Sequence, residues 1–333
     1  MNLQERKEVL LWLGRYMLSK NEEWDQAKRK AQADNAWFTE PFIGQAIQNI
    51  TTQFLTEKAL DNAIAEYDLS NHIPKPKKVG IVMAGNIPLV GMHDLISVFL
   101  TGHYAHIKPS SKDFHLVNHL VNKLLQEWPQ ALPYFTIRER LTEVDAYIAT
   151  GSNNTSRYFE YYFRNYPSII RKNRTSVAIL SGSETKEQLE ALADDIQSYF
   201  GLGCRNITKL YVPAGYDFLP LLNALRKYDH LKDHNKYRNN MDYNLAIHIL
   251  NNTYYMTNDS IVLVEDASFF SPISQLHYEF YTDGTELRNN LRHNETIQCI
   301  VSLEDVPFGQ AQCPSLFDYA DGVDTIQFLL SLS

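Results

Sequence analysis

Three cysteines in 333 residues, at Cys204, Cys299 and Cys313, are too few and too widely spaced for a disulfide framework or a zinc knuckle. Each reads either as a small buried hydrophobe or as a reactive thiol. No run approaches the roughly 18 apolar residues that a membrane helix needs. The Met1–Leu11 start also lacks the apolar core of a secretion signal. No membrane span and a cytoplasmic location are therefore expected. Positive charge is scarce as well, with 31 Lys and Arg against 39 Asp and Glu and a net charge of −8. Nucleic-acid binding needs a clustered basic surface, so it is not expected of the whole chain. A GxGxxG turn, a P-loop and an HExxH pair are all absent, which removes the common dinucleotide fingerprint, the triphosphate cradle and the zinc-peptidase helix.

What remains is a chain that is 44% hydrophobic and long enough, at roughly 150 residues per domain, for about two domains. Asn2 to Leu69 reads as several helices, with apolar residues at helical spacing in Val9, Leu10, Leu13 and Tyr16 and with Pro41 suited to a helix first turn. This layer serves packing or an oligomer contact, and a homo-oligomer is expected. The His72–Lys78 stretch, with two prolines and three lysines, reads as a stiff linker. Strand-like and helical segments then alternate: Val79–Ala84, Leu89–Leu100, His103–Ile107, Phe114–Trp128, Tyr134–Ile137, Asp145–Ala149 and Ser152–Phe163. A second alternating series runs from Val177–Leu180 through Glu184–Tyr199 and Thr208–Pro213 to Gln298–Val301. The pattern predicts an α/β protein with parallel sheets covered on both faces and ligands beyond the strands' carboxyl ends. A boundary near Asn173–Thr175 divides a first domain, 1–174, from a second, 175–333, that carries Cys204 and a C-terminal return segment.

Four turns could carry chemistry. In Gly201-Leu-Gly-Cys204 the glycines free the backbone for an unusual turn and let a substrate approach the sulfur, with Arg205 and Lys209 as positive neighbours; the alternative is a buried structural cysteine. Asn86, after a strand and between Gly85 and Pro88, could aim its amide at an oxyanion or could bond its own turn. Lys108-Pro-Ser110-Ser111 could hold a ribose or phosphate, or its serines could cap the next helix. Thr150-Gly151-Ser152 opens a helix, where glycine and a hydroxyl suit a pyrophosphate.

In this order the four turns resemble the aldehyde dehydrogenase superfamily, and more closely its acyl-CoA reductase branch, typified by the fatty-acyl-CoA reductases of bacterial bioluminescence. Gly85-Asn86-Ile-Pro88 is similar to the asparagine-proline element, Lys108-Pro109-Ser110 to the lysine-proline-serine element, Thr150-Gly151-Ser152 to the threonine-glycine-serine element and Gly203-Cys204 to the catalytic cysteine. The resemblance runs from Val79 to the C-terminus. It implies an aldehyde dehydrogenase-like fold of two parallel-sheet α/β domains behind an N-terminal helical segment, with the cysteine at the domain junction. Cys204 would be the nucleophile, and Asn86 with the Cys204 backbone amide would form the oxyanion hole. Lys108 and Ser110 would hold the adenosine ribose or its 2′-phosphate, and Gly151 and Ser152 would face the pyrophosphate. Phe270 and Pro272 match the element that contacts the nicotinamide ribose, with Ser268 in place of its glutamate. Pro307-Phe308-Gly309 resembles an element near the substrate mouth.

One departure bears on the reaction. Where hydrolytic members carry a glutamate base, this chain has Ser168-Ile-Ile-Arg171-Lys-Asn. A thioester on Cys204 is then better resolved by hydride or by CoA than by water. The reaction implied is reduction of acyl-CoA to aldehyde with NADPH or NADH, with CoA as part of the substrate. A CoA-acylating aldehyde dehydrogenase running oxidatively and a non-catalytic nucleotide-binding module are the alternatives.

The remaining patterns have plainer readings. In Arg157–Arg174 aromatics interleave with basic residues, which suits stacking on a nucleic-acid strand or, more simply, a helix face with Tyr158, Tyr161 and Tyr162 packed on the sheet beside bound phosphates. The pairs His115/His119 and His230/His234 have metal-ligand spacing but no third ligand, and surface or capping roles are expected. Asp194-Asp195 and Glu304-Asp305 read as solvated charges.

Overall fold

A computed structural model describes residues 1–71 and 75–332; the linker expected at His72–Lys78 falls partly on 72–74, outside the described residues. The chain forms two compact units, one of residues 1–173 and 314–333 and the other of 174–313.

The first unit begins with helices whose starts are written in their cap residues. Asn2 and Glu5 form a capping box on α1 (Leu3–Leu18), Asn21 caps α2 (Glu22–Asp34), Pro41 lies in the first turn of α3 (Glu40–Gln53) and Thr56 caps α4 (Glu57–Glu66). Their apolar stripes, including Leu10, Trp24, Ile43 and Leu60, enter the same core as the first sheet. That sheet and its helices are β1 (Lys78–Val82), α5 (Met92–Leu100), β2 (Tyr104–Lys108), α6 (Phe114–Glu127), β3 (Phe135–Ile137), β4 (Ala146–Thr150), α7 (Asn153–Phe163) and β5 (Ser168–Arg171). All pairings are parallel, in the order β3-β2-β1-β4-β5. Val79, Ile81, Ala105, Ile107 and Ile148 are fully buried, as strands covered on both faces require. The chain leaves β1 toward β2 on one side and returns to β4 on the other, so the topological switch lies between β1 and β4.

On α7 the sequence expectation needs correction. Phe159 and Phe163, one turn apart, stack with each other, and Phe163 stacks on Tyr147, whereas Tyr158, Tyr161 and Tyr162 are exposed. At 100° per residue the helix cannot turn both sets to the sheet.

The second unit contains β6 (Thr175–Ile179), α8 (Lys186–Gln197), β7 (Ile207–Pro213), α9 (Leu219–Leu225), α10 (Asn235–Leu250), β8 (Met256–Thr257), β9 (Val262–Glu265), β10 (Gln275–Tyr281), α11 (Gly284–Arg292) and β11 (Ile297–Val301). The order is β11-β6-β7-β10-β9-β8, parallel except for β8 against β9. His234 caps α10 by accepting the Tyr237 N–H.

The C-terminal segment differs from the expected division, because residues 314–333 belong to the first unit. Its helix, α12 (Thr325–Ser331), is tied there by buried polar groups. Arg171 Nη2 donates to Thr325 Oγ1 at 2.9 Å while Nη1 pairs with Asp94 Oδ2 at 2.5 Å, and His103 bonds the Leu329 carbonyl at 2.9 Å. Burial opposes ionisation of Asp94, but Arg171 and His93 outweigh it and hold the carboxyl at about 2.

Candidate functional site

The first unit gathers three of the four candidate turns at the carboxyl ends of β2, β1 and β4, which are neighbours in the sheet. Asn86 is exposed in the bend after β1, and Lys108 is exposed at the end of β2. The two turns touch through backbone: Met83 N–H donates to the Lys108 carbonyl at 3.0 Å. Gly85 makes the approach possible, since a Cβ there would stand 2.5 Å from Ser110 Oγ and 2.7 Å from its Cβ. Ser110 Oγ accepts the Lys112 N–H at 3.3 Å and does not cap α6, whose N-cap is Asp113. Beyond β4, Gly151 N–H donates to the Arg171 carbonyl at 3.2 Å, and Ser152 is the N-cap of α7 through Thr155 N–H. Exposed cationic, hydroxyl and helix-N-terminal groups thus share one edge, an arrangement suited to anionic oxygens.

The second unit holds Cys204 and Phe270 at the other edge of its sheet, before the strands begin. After α8 the chain makes a left-handed turn at Tyr199, Phe200 and Gly201, with φ of 53°, 58° and 73°, a costly conformation for the two aromatics. Buried Asn206 ties the residues before that turn to Gly203 beyond it. Its Nδ2 donates to the carbonyls of Asp195 and Ser198 at 3.0 and 2.9 Å, and its Oδ1 accepts the Gly203 N–H at 2.8 Å. Cys204 is half-buried, and its carbonyl accepts from Ser176 Oγ at 3.0 Å. The same Ser176 oxygen lies 3.2 Å from the Cys299 N–H and 3.1 Å from Cys299 Sγ. Cys299 is therefore bonded to the cysteine's own support rather than being a bystander.

The segment before β10 is gripped at three successive carbonyls. Lys209 Nζ donates to Ala267 O at 2.7 Å, a His277 ring nitrogen meets Ser268 O at 2.9 Å, and Thr208 Oγ1 donates to Phe269 O at 2.6 Å. Lys209 and His277 are register partners on β7 and β10, so their side chains leave the same face. Burial, partly offset by the Ser268 contact, lowers the His277 pKa. Lys209 is fully buried, pairs with Glu279 at 2.6 Å and lies over the Tyr211 and Phe269 rings. The expectation that it stands as a cation for Cys204 is therefore corrected: it serves the Phe269–Phe270 segment. Arg205 likewise donates through Nε to the Ala311 carbonyl.

Asp195 also departs from its expected role. It is fully buried and accepts the N–H groups of Gly309 and Ala311 at 2.6 and 2.9 Å, so the Pro307-Phe308-Gly309 loop is fastened to α8. Burial outweighs those bonds and raises the carboxyl to about 7. Glu304 and Asp305 pair with Arg288, and Asp305 also with Arg292. Burial raises the Cys313 thiol, with Asp195 adding to the effect. Asp113, Ser176, Asn206 and His277 were not foreseen; Asp113, two residues beyond Ser111, and Asn206, two residues beyond Cys204, stood near a signal.

No protein-family model matches the chain, and no curated protein matches it. Solved structures do. Aldehyde dehydrogenase 21 from Physcomitrella patens, solved in complex with the reaction product succinate, superposes with a TM-score of 0.66 at 13% identity, over 91% of this chain and 73% of that one. The aldehyde dehydrogenase KauB from Pseudomonas aeruginosa gives 0.65 at 14%, over 91% and 72%. The NAD+ complex of an aldehyde dehydrogenase from Bacillus cereus gives 0.64 at 13%, over 91% and 72%. The chain has the aldehyde dehydrogenase fold. At these identities the likeness is one of fold, and chemistry has to be argued from the residues above.

Proposed function

We propose that this protein is an NAD(P)H-dependent acyl-CoA reductase in which Cys204 takes the acyl group from CoA as a thioester and releases it as an aldehyde. The observation that carries the reading is the state of residues 168–171. They form strand β5, whose single ionisable side chain, Arg171, is buried and committed to Asp94 and Thr325. The stretch that in hydrolytic members carries the base would supply no carboxylate here, which favours resolution of a Cys204 thioester by hydride or CoA over water.

In the proposed reaction the Cys204 thiolate attacks the thioester carbonyl, its new C–S bond replacing the one to CoA, which leaves as a thiolate. As the resemblance implies, the Cys204 backbone N–H and the Asn86 amide would donate to the carbonyl oxygen as charge develops on it. A dinucleotide suits the first unit's edge because Gly85 lets two turns close on each other while Lys108 stays exposed beside them. Lys108 and Ser110 would hold the adenosine ribose or its 2′-phosphate, Gly151 and Ser152 the pyrophosphate, and Phe270 would face the nicotinamide end. When bound, the reduced cofactor supplies the hydride that turns the thioester into an aldehyde and frees Cys204. The grip on Ala267, Ser268 and Phe269 supports Phe270 without the glutamate that Ser268 replaces; Ser268 Oγ instead donates to the Phe270 carbonyl at 3.2 Å.

Purified protein with a series of acyl-CoA chain lengths and either NADPH or NADH tests this by cofactor absorbance. Oxidation of NAD(P)H matched by free CoA and aldehyde is expected, with turnover abolished in Cys204→Ala. No oxidation with any acyl-CoA, or undiminished turnover in Cys204→Ala, overturns the reading.

A further inference from the structure

We propose that Asp113 is a positioning residue that holds Asn86 in place for the substrate oxygen, acting through the N–H of Leu89. The inference rests on the proposed reaction and adds a residue to the same site.

Asp113 stands where a helix is normally capped, yet its carboxylate makes no bond to α6. An aspartate at that position ordinarily satisfies an N–H of the first turn, worth about 1 kcal/mol. Here Oδ2 reaches back to the N–H of Leu89 at 2.7 Å. The side chain is 2% exposed, and Oδ1 has no hydrogen-bond partner among the described residues. Burial pushes the carboxyl well above the usual carboxylate range, with the Leu89 N–H opposing it. Giving up a cap and burying a half-satisfied carboxyl both disfavour the folded state. Neither helps α6.

The gain lies at the other end of the bond. Leu89 has a φ of 58°, in the left-handed region that side chains avoid. It sits three residues beyond Asn86, with Pro88 between. The proline ring fixes its own φ, which removes one of the torsions that could absorb a change at Leu89 before it reaches Ile87 and Asn86. Asp113 is anchored in turn, because its N–H donates to the Ser110 carbonyl at 3.1 Å and Ser110 packs against Gly85. Asp113 thus spans from the Lys108–Ser110 turn to the Asn86 turn and holds the second in a conformation it would not keep alone.

Three variants separate this from a purely structural role. Asp113→Asn keeps an acceptor of the same shape, Asp113→Ala removes it, and Asp113→Ser can cap α6 but is too short to reach Leu89. We expect Asp113→Ser and Asp113→Ala to lower kcat on the order of tenfold or more, as loss of orientation does, with KM for the nicotinamide cofactor within about twofold of wild type. Asp113→Asn should retain most of kcat. Hydrogen exchange should rise in residues 84–91 of the Ser and Ala variants and stay at the wild-type level in Asn. A merely structural Asp113 predicts the reverse for Asp113→Ser, whose restored cap would leave turnover per folded molecule intact. Wild-type kcat in Asp113→Ser, or an Asn variant as slow as Ala, overturns the proposal. If the wild-type protein turns over no acyl-CoA, the proposed function fails on its own, and unchanged exchange at 84–91 in Asp113→Ser then overturns the positioning role independently.

Discussion

In the first sheet the candidate residues lie at or beyond the strands' carboxyl ends, and in the second they precede the strands. Asn86 and Ser152 come after β1 and β4 and Lys108 ends β2, whereas Cys204 and Phe270 come before β7 and β10. The carboxyl edge of a parallel sheet feeds helix N-termini, whose backbone N–H groups point outward, so an anion cradle needs only turns and small residues there. The amino edge has no such supply. The second unit compensates with side chains: Ser176 on the Cys204 carbonyl, Asn206 on its turn, and Lys209, His277 and Thr208 on three carbonyls before β10. The proposed binding edge is assembled from local backbone, while the edge that carries Cys204 is assembled across the sheet.

If that contrast is right, each unit should break in its own way. The largest effect is expected at Arg171. Arg171→Met leaves Asp94 buried without its partner and should cost about 3–5 kcal/mol of unfolding free energy, read by denaturant unfolding. Loss of exchange protection should be confined to the first unit, around β5 and α12.

Next comes a difference in sign with pH between two buried carboxyls. Burial holds Asp195 at about 7, against an ordinary 3.8, so the folded state keeps a proton that the unfolded state releases. Its contribution is complete below pH 3.8 and is lost as pH rises through about 7, on the order of a few kcal/mol. Asp94, held at about 2, behaves oppositely, stabilising above 3.8 and losing its contribution as pH falls through 2. Asp195 therefore lowers the thermal midpoint as pH rises between 5 and 8, with Asp113 acting in the same direction and His277 against it, so Asp195→Asn should make the pH slope less negative while Asp94→Asn leaves it in place. An unchanged slope in Asp195→Asn would remove the buried carboxyl from the account.

Smaller effects belong to the sites themselves. Ser176→Ala frees the Cys204 carbonyl and should lower kcat about tenfold, with cofactor KM unchanged. Lys108→Ala should do the converse, raising NADPH KM by roughly tenfold, about 1.4 kcal/mol, with kcat largely kept. Equal effects of both variants on kcat would erase the division between a binding edge and a reactive edge.

Legibility in the sequence obeyed the same division. Strand, turn and helix succeed one another locally in the first unit, so the turns at Asn86, Lys108 and Ser152 could be placed from composition and periodicity. The supports of Cys204 could not, because Ser176 reaches the Cys204 carbonyl, and Cys299 reaches Ser176, only when β6, β7 and β11 align. β5 was not foreseen, although the shorter β3 was, because Ser168 and Arg171 leave only two apolar residues at its centre, and α11 was not because its sequence, GTELRNNLR, is mostly polar. Asp194 and Asp195 look alike on paper. Helical phase separates them: Asp194 reaches Lys227 and Tyr228, while Asp195 turns inward to Gly309 and Ala311. Asp113 went unread because the capping role was assigned to the serines before it, whereas the N-cap is Asp113 and its carboxyl turns to Leu89.

The claim on which the account depends is that Cys204 is the residue acylated. Intact-mass measurement of the protein after mixing with acyl-CoA, with no nicotinamide cofactor present, tests it directly. The account predicts an added mass equal to one acyl group, located on Cys204, released on adding NADPH or NADH, and missing from Cys204→Ala. An acyl group found on Cys299 or Cys313, or none at all on wild-type protein that oxidises NAD(P)H with acyl-CoA, would contradict it.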